Sequence, residues 1–221
     1  MTAYDSRRAL ADAVRRLSTA TVSADAPDTA LAAAATAVEA VLASLQESAG
    51  PGRWARINPD THGSSQDYFP TSPVIGQCNP VAPPVRFEPD GGDGMVGTGW
   101  FDYPYEGPPG CVHGGVIALV FDELLGAANM ASGNPGMTGT LTIRYRKPTP
   151  LRRPLHLAAR TVDRRGRKIR VSGTIHHEGV LTAEAEGLFI EVNPEKFLQM
   201  AQEAAADGMS ASPAVGTVAG S

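Results

Sequence analysis

One stretch of the sequence, residues 116–130, constrains the fold more than any other, because it is apolar on almost every side of a helix. A helix with that pattern is typical of a protein interior rather than a surface, and other elements must cover it. On both sides of this stretch, apolar and polar residues alternate with a period of two, which predicts β-strands. We therefore expect a buried helix enclosed by strands.

Six strands are predicted, two before the helix and four after it. Turn-forming residues separate them at residues 90–94, 163–166 and 178–179. This order of elements predicts an α+β fold in which a curved antiparallel sheet wraps around the central helix. The predicted strands lie at residues 85–88, 95–101, 140–145, 155–162, 168–176 and 180–192.

Three further segments lie outside this domain, which occupies residues 85–192. Residues 1–49 are rich in alanine and predict an N-terminal helical extension. Proline and glycine interrupt residues 50–84 every few positions, which predicts an extended segment. Residues 193–221 are small and polar, and we expect a partly disordered tail.

The N-terminal extension is predicted to contain two helices. The first is indicated by apolar residues that recur at helical spacing, namely Tyr4, Leu10, Val14 and Leu17. The second follows Pro27, with Asp28 as the expected N-cap.

Composition excludes several classes of protein. A net charge of -4 gives no reason to expect nucleic acid as a partner. The N-terminus lacks the apolar segment of a secretory signal, and no run of about eighteen uncharged apolar residues exists. We therefore expect a cytoplasmic protein without membrane insertion, in which Cys78 and Cys111 are reduced and buried. Cys111 and His113 lack a third partner, so no metal site is predicted.

Two adjacent carboxylates, Asp122 and Glu123, interrupt the apolar helix. An ionised carboxylate in an apolar setting must be paired, hydrogen-bonded or protonated, so its presence needs a reason. One explanation is structural: the helix is less buried at that turn, and both acids are solvated or paired with cations. The other explanation is functional, with one of the acids serving as a catalytic base.

The approach to the helix favours the functional explanation. Gly114 and Gly115 allow a ligand to come close to the backbone where free N–H groups emerge, and such a helix start stabilises negative charge. Asp122 follows Gly115 by nearly two turns and shares its face, whereas Glu123 is rotated by about 100°. One face of the helix is thus predicted to present an oxyanion hole and a base to the same carbonyl carbon, as acyl transfer to water requires.

These residues also carry a resemblance to a known family. The pattern Tyr105-Glu106-Gly107, then Gly110-x-Val112-His113-Gly114-Gly115, six apolar residues and Asp122, is similar to that of the hot-dog-fold thioesterases of the PaaI and THEM4 type. Gly76-x-Cys78-Asn79-Pro80 upstream and Met137-Thr138-Gly139-Thr140-Leu141 downstream extend the similarity to roughly residues 74–192. The resemblance implies a hot-dog fold and hydrolysis of acyl thioesters, above all acyl-CoA.

The resemblance also assigns roles to individual residues. It implies that Asp122 activates water or attacks the thioester, and that the amide of Gly114 or Gly115 polarises the carbonyl. Thr138 is expected to orient the water, and His113 to assist at the carbonyl or to hold the loop. Glu123 is the alternative base, because some hot-dog enzymes use a glutamate on this helix.

The implied partners are the acyl-CoA substrate and a second copy of the chain. The resemblance predicts a homodimer, with a dimer of dimers as the alternative, in which each site is assembled from two subunits. It also places Asn79 among the candidate substrate-binding residues. No cofactor is expected other than the coenzyme A that is part of the substrate.

A basic segment follows the predicted site. Eleven of the nineteen Lys and Arg residues lie between Arg144 and Arg170, where Asp163 is the only acid. Arg and Lys at strand edges and turns neutralise phosphate well, so Arg164, Arg165 and Arg167 are candidate contacts for the phosphates of coenzyme A. Charged strands that serve solubility alone are the other explanation.

Two functions from other classes stay open. One is a non-catalytic acyl-CoA sensor or interaction module on the same fold, since fold does not fix function. The other is an enoyl-thioester hydratase, although those enzymes typically pair the Asp with a His a few residues on, and no His follows Asp122 before His156. An anhydride formed at Asp122 is the mechanistic alternative to general-base catalysis.

Overall fold

The computed structural model of the chain describes residues 2–47, 69–92, 94–133, 136–193 and 203. The chain divides into two units, one holding Met1–Ala24 and Ile57–Asn193 and the other Asp25–Arg56 and Pro194–Ser221. Residues 50–68 of the predicted extended segment and nearly all of the predicted tail lie outside the described residues.

All six predicted strands are present, and they form one antiparallel sheet. They are β1 Val85–Pro89, β2 Gly94–Gly99, β3 Gly136–Tyr145, β4 Leu155–Arg165, β5 Lys168–His177 and β6 Val180–Glu191. Their order across the sheet is β1-β2-β4-β5-β6-β3, so β1 and β3 are the edge strands.

Three helices of more than two turns accompany the sheet in the described part of the chain: α1 Ala3–Ser23, α2 Asp28–Gln46 and α3 Gly114–Ala131. The central helix, α3, contacts all six strands, which requires the sheet to curve around it. Its buried apolar residues repeat at three- and four-residue spacing and pack against the inward side chains of the sheet. These residues are Ile117, Val120, Phe121, Leu124, Leu125 and Ala128. The hot-dog architecture expected from the sequence is confirmed.

The expected burial of α3 holds for one of its faces in the single chain. The sheet covers one face only, and on the other face Leu119 is 42% and Met130 58% exposed. The edge strand β3 borders this open face, and its Met137 and Tyr145 are 50% and 55% exposed. Apolar side chains are therefore available on α3 and β3 for contact with another surface.

Several boundaries differ from the predictions for local reasons. β4 runs to Arg165, because pairing of Arg165 with Lys168 leaves Gly166 and Arg167 as the turn. Gly166 has a φ of 58°, which suits glycine. The turn at Glu178 and Gly179 is confirmed, with φ of 48° and 77° as a type I′ hairpin requires.

The N-terminal extension contains both predicted helices, with differences in detail. Asp28 is the first residue of α2 rather than its N-cap, which is Pro27. In α1 the predicted apolar face points outward, since Leu10, Val14 and Leu17 are each more than a third exposed and only Ala11 is buried.

Among the described residues, the helices α2 and α3 are long and apolar enough by length and composition to cross a membrane. The packing of α3 against the sheet accounts for its apolar character, because a core helix has the same composition. The absence of membrane insertion remains a prediction.

The segment before β1 is not extended where the structure describes it. Residues 69–84 form consecutive turns that bury Val74, Ile75 and Ala82 against the rest of the unit. At Gly76 a Cβ atom would clash with the amide nitrogen of Ser72 and would stand 2.6 Å from the carbonyl oxygen of Pro70. The prolines and glycines here therefore produce a compact loop rather than an extended strap.

Phe121 tests the packing of α3. Its side chain is fully buried, so Phe121→Ala should lower the free energy of unfolding by about 3–5 kcal/mol. Val162→Ala on β4 removes an apolar side chain that is 53% exposed and should change it by less than about 1 kcal/mol. Chemical denaturation of both variants measures the difference, and equal losses would contradict the assigned core.

Candidate active site

His113 caps the start of α3. Its backbone is extended, and its Nδ1 accepts a hydrogen bond of 3.0 Å from the amide of Gly115. The amides of Val116 and Ile117 donate to the carbonyl of His113. The N–H of Gly114 has no acceptor in the part of the chain that the structure describes, so it is the donor left free at this helix start.

The cap also determines which nitrogen of His113 carries the proton. Because Nδ1 accepts from Gly115, the neutral ring has its hydrogen on Nε2. Within the described residues Nε2 has no acceptor either, so the ring offers a second donor beside the amide of Gly114. Of the two glycine amides proposed from the sequence, Gly115 is thus occupied and Gly114 is available.

A short, braced loop holds His113 in place. The amide of His113 donates to the carbonyl of Tyr105 at 2.9 Å, and the carboxylate of Glu106 accepts from the amide of Gly110 at 2.7 Å. At Gly107 a Cβ atom would lie 2.7 Å from the Cα of His113, so only glycine fits there. The residues of the sequence pattern around Tyr105 and Gly110 therefore form the loop that supports the helix cap.

Asp122 lies on the open face of α3, where it accepts a hydrogen bond of 2.8 Å from the hydroxyl of Thr138. The two residues come from different elements, and a register shift of β3 against β6 falls between Thr138 and Thr140. Such an irregularity re-aims a side chain, here towards the helix. Asp122 is thus solvent-exposed in the single chain but held in a defined position.

The spacing along α3 separates Asp122 from the helix start. Seven residues at 1.5 Å each place it about 10 Å from Gly115 along the axis, and the amides at a helix start point away from the rest of the helix. A carbonyl bound at the amide of Gly114 is therefore too far from Asp122 of the same chain. The prediction that one helix presents both groups to one carbonyl is corrected by this distance.

Tyr145 is a site residue that the sequence interpretation missed. Its hydroxyl donates to the carbonyl of Gly114 at 2.9 Å and fixes the end of β3 against the start of α3. Next to it, Arg146 donates to Glu184 at 2.6 Å, and this hydrogen bond lowers the pKa of the Glu184 carboxyl below its usual value. In the alternating pattern of the strand, nothing distinguishes Tyr145 from the other apolar residues.

The other candidate residues lie apart from this constellation. Glu123 is half-buried, one position further round the helix than Asp122. The side-chain amide of Asn79 donates to the carbonyl of Thr71 and accepts from the amide of Val81, so it organises its own loop. This structural role of Asn79 differs from its role in substrate binding, which stays a prediction.

The arginines at the turn between β4 and β5 have partners within the chain. Arg164 makes two hydrogen bonds, of 2.9 and 3.0 Å, to the carboxylate of Glu191, and Arg167 donates to the carbonyl of the same residue. Arg165 forms a 2.9 Å ion pair with Asp163. All three are exposed, so their predicted contact with phosphate requires them to exchange or share these partners.

The two cysteines are free thiols in different surroundings. Cys78 is buried as predicted, and burial raises the pKa of its thiol, which therefore stays protonated and unreactive. Cys111 is half-buried rather than buried, because it lies in the exposed loop before α3. Neither thiol is placed beside Asp122 by a contact in the described residues.

Comparison with known proteins gives one family. The thioesterase superfamily profile matches residues 109–184. The crystal structure of a thioesterase superfamily protein is 34% identical to this chain, with a TM-score of 0.72, and the alignment covers 83% of this chain and 94% of that one.

Two curated relatives carry the name acyl-coenzyme A thioesterase THEM4. The mouse protein is 41% identical over 93 residues, covering 41% of this chain and 40% of its own length. The Xenopus laevis protein is 38% identical over 94 residues, covering 41% of this chain and 42% of its own. The chain thus spans about two fifths of the length of these relatives.

The helix cap provides a test of the site's architecture. His113→Ala removes the acceptor for the Gly115 amide and should lower the free energy of unfolding by about 0.5–2 kcal/mol. His113→Asn restores a favoured capping residue and should recover most of that loss. Equal stability of the alanine variant and the native chain in chemical denaturation would show that the cap is unimportant.

Proposed function

Because the chain belongs to the thioesterase superfamily, we propose that it hydrolyses acyl thioesters, most of all acyl-CoA, to a carboxylic acid and a free thiol. The observation that carries the proposal is the hydrogen bond from Thr138 to the carboxylate of Asp122. It fixes a base on the open face of α3, and the helix start supplies the donors for an oxyanion. The names of the mouse and Xenopus relatives favour coenzyme A as the thiol.

In the proposed reaction Asp122 removes a proton from water as the water oxygen attacks the thioester carbon. The carbonyl oxygen becomes an oxyanion, which the N–H of Gly114 and the Nε2–H of His113 stabilise. The C–S bond then breaks, and coenzyme A leaves as a thiolate, which takes up the proton that Asp122 removed from water. Because a thiolate is a good leaving group, the reaction needs no dedicated strong acid.

The site is proposed to form between two copies of the chain. Asp122 and the free amide of Gly114 are about 12 Å apart along one helix, so they cannot act on one carbonyl within a single chain. A second α3 running antiparallel to the first brings the start of one helix beside Asp122 of the other. The exposed apolar side chains of α3 and β3, including Leu119 and Met137, supply the surface for this contact.

The remaining candidate residues are proposed to act in the same reaction. Thr138 holds the carboxylate and orients the water, and Glu123 is the alternative base. Arg164 and its neighbours at the β4–β5 turn, together with Asn79, are proposed to bind the coenzyme A part of the substrate. We further propose a cytoplasmic location.

Thiol release from a panel of acyl-CoAs tests the assignment of the base. Asp122→Asn keeps the size of the side chain and removes the base, so kcat should fall by about 10²–10⁴-fold. Glu123→Gln is the matched control on the same helix and should retain most of the native rate. An acyl-carrier-protein thioester in the panel distinguishes the two kinds of thiol carrier.

Each other outcome assigns a different function. If only Glu123→Gln loses activity, Glu123 is the base. If both variants release thiol at the native rate, Asp122 has a structural role. Binding of acyl-CoA without thiol release by the native chain favours a sensor. Addition of water to an enoyl-CoA without thiol release favours a hydratase.

Mixed dimers test whether each site uses two chains. Gly114→Pro deletes the free amide, and proline suits both the first helical position and the extended backbone of His113 before it. This variant should lose about 10²–10³-fold in kcat. Gly114→Ala controls for the added carbon, whose closest neighbour is the Tyr145 hydroxyl at 3.3 Å, and should stay near the native rate.

Refolding Asp122→Asn together with Gly114→Pro should restore activity. Half of the randomly paired dimers are mixed and each has one intact site, so about a quarter of the native rate is expected. A site contained in one chain predicts no recovery, because every chain then carries a defect.

A further inference from the structure

We propose that α1 positions the catalytic loop, and that Arg15 and Tyr105 are positioning residues for the hydrolysis. This inference rests on the proposed function and assigns a role to the N-terminal helix, which lies outside the residues that match the family profile. It also gives a role to the Gly76-x-Cys78-Asn79-Pro80 sequence, as the connection between α1 and the loop that carries His113.

The contacts of α1 indicate that it positions the catalytic loop and contributes little to the hydrophobic core. Ala11 is its one buried residue, and Leu10, Val14 and Leu17 face outward. Burial of a single alanine contributes little hydrophobic stabilisation. The side chain of Arg15, which projects from the same side as Ala11, makes four hydrogen bonds from the helix to the loop before β1. The thiol of Cys78 adds one to the carbonyl of Tyr4.

Arg15 binds a cluster of backbone carbonyls in the loop before β1. One terminal nitrogen donates to the carbonyls of Gly76, Gln77 and Asn79, at 3.2, 3.3 and 2.6 Å, and Nε donates to Ala82 at 3.3 Å. The other terminal nitrogen pairs with Asp12 at 2.6 Å on α1 itself. The guanidinium plane thereby fixes both the helix and the loop, which a lysine ammonium cannot reproduce.

The loop that Arg15 binds is itself stiff. Gly76 has no room for a side chain against the backbone of Pro70 and Ser72. Both ends of the Asn79 amide hydrogen bond within the loop, and Ala82 at its end is only 1% exposed. A displacement of the loop at Arg15 is therefore passed on to Ala82 rather than absorbed.

Ala82 connects the loop to the catalytic segment. Its carbonyl accepts from Arg15 and also from the hydroxyl of Tyr105, at 3.3 Å each. The backbone carbonyl of Tyr105 in turn accepts from the amide of His113, the cap of α3. Three consecutive hydrogen bonds thus lead from Arg15 to His113, which carries one donor of the proposed oxyanion hole.

Tyr105 is suited to this connecting role. Its ring packs edge-on against Phe101, with centroids 5.6 Å apart at 86°. Burial raises the pKa of its hydroxyl, against an opposing effect of the Arg15 charge, so the group remains a donor throughout the neutral range. A side chain with a fixed ring and a protonated hydroxyl holds the backbone at residue 105 in one place.

Kinetics of acyl-CoA hydrolysis by full-length variants test the proposal. Arg15→Ala and Tyr105→Phe should each lower kcat by about 10-fold with KM changed by less than about 2-fold, because small misplacements of catalytic groups affect the reaction more than substrate binding. Arg15→Lys should recover only part of the loss. Arg16→Ala, a charge removal at the next position of α1, should leave both constants unchanged.

The double variant Arg15→Ala/Tyr105→Phe distinguishes a shared path from two separate effects. Both single changes act through the carbonyl of Ala82, so the double variant should lose little more kcat than the worse single variant. Losses that multiply, or single variants that change KM and melting temperature without changing kcat, would overturn the proposal.

Hydrogen exchange provides a readout that does not depend on catalysis. In Arg15→Ala the amides of His113 and Gly115 should exchange at least about 10-fold faster than in the native chain, while Arg16→Ala leaves them unchanged. Unchanged exchange in Arg15→Ala contradicts the positioning role. A native chain without thioesterase activity but with this exchange pattern contradicts only the proposed reaction.

Discussion

The packing of one face of α3 against the curved sheet is the contact on which the rest of the structure depends. Phe121, Leu124 and Leu125 have no exposed surface, and they fix the rotation of the helix about its axis. That rotation leaves Asp122 on the opposite, open face and directs the helix start towards the end of β3, where Tyr145 binds it. The same buried apolar residues of α3 therefore determine both the packing of the fold and the position of the site.

The rise of the α-helix imposes a second constraint. Asp122 and the free amide of Gly114 lie on the same helix, but they are separated by about 12 Å along its axis. Chemistry that needs both groups at one carbonyl must draw them from two helices. In the proposed dimer, the open face of α3 and the exposed edge strand β3 form the contact between the two copies.

The N-terminal helix illustrates how local pattern and tertiary contact diverge. Its apolar spacing predicted a helix with Leu10, Val14 and Leu17 along it, yet the residues that dock the helix are Ala11 and Arg15. The reason is a set of carbonyls in a distant loop, whose convergence on one guanidinium depends on the folding of residues 76–82. Periodicity shows which side chains of a helix are apolar. It does not show whether hydrogen bonds of a polar side chain, such as Arg15, determine which face of the helix packs against the protein.

The sequence by itself determined the central helix, all six strands, the Glu178–Gly179 turn and the position of the helix start, because these depend on periodicity and on residues close together in the chain. Tertiary structure decided which face of α3 is open and brought Thr138 into contact with Asp122. It also placed the backbone carbonyls of the loop before β1 where Arg15 binds them, namely those of Gly76, Gln77, Asn79 and Ala82. These contacts join residues 16 or more positions apart. Their geometry follows from sheet curvature, a strand irregularity and loop packing, which no local pattern specifies.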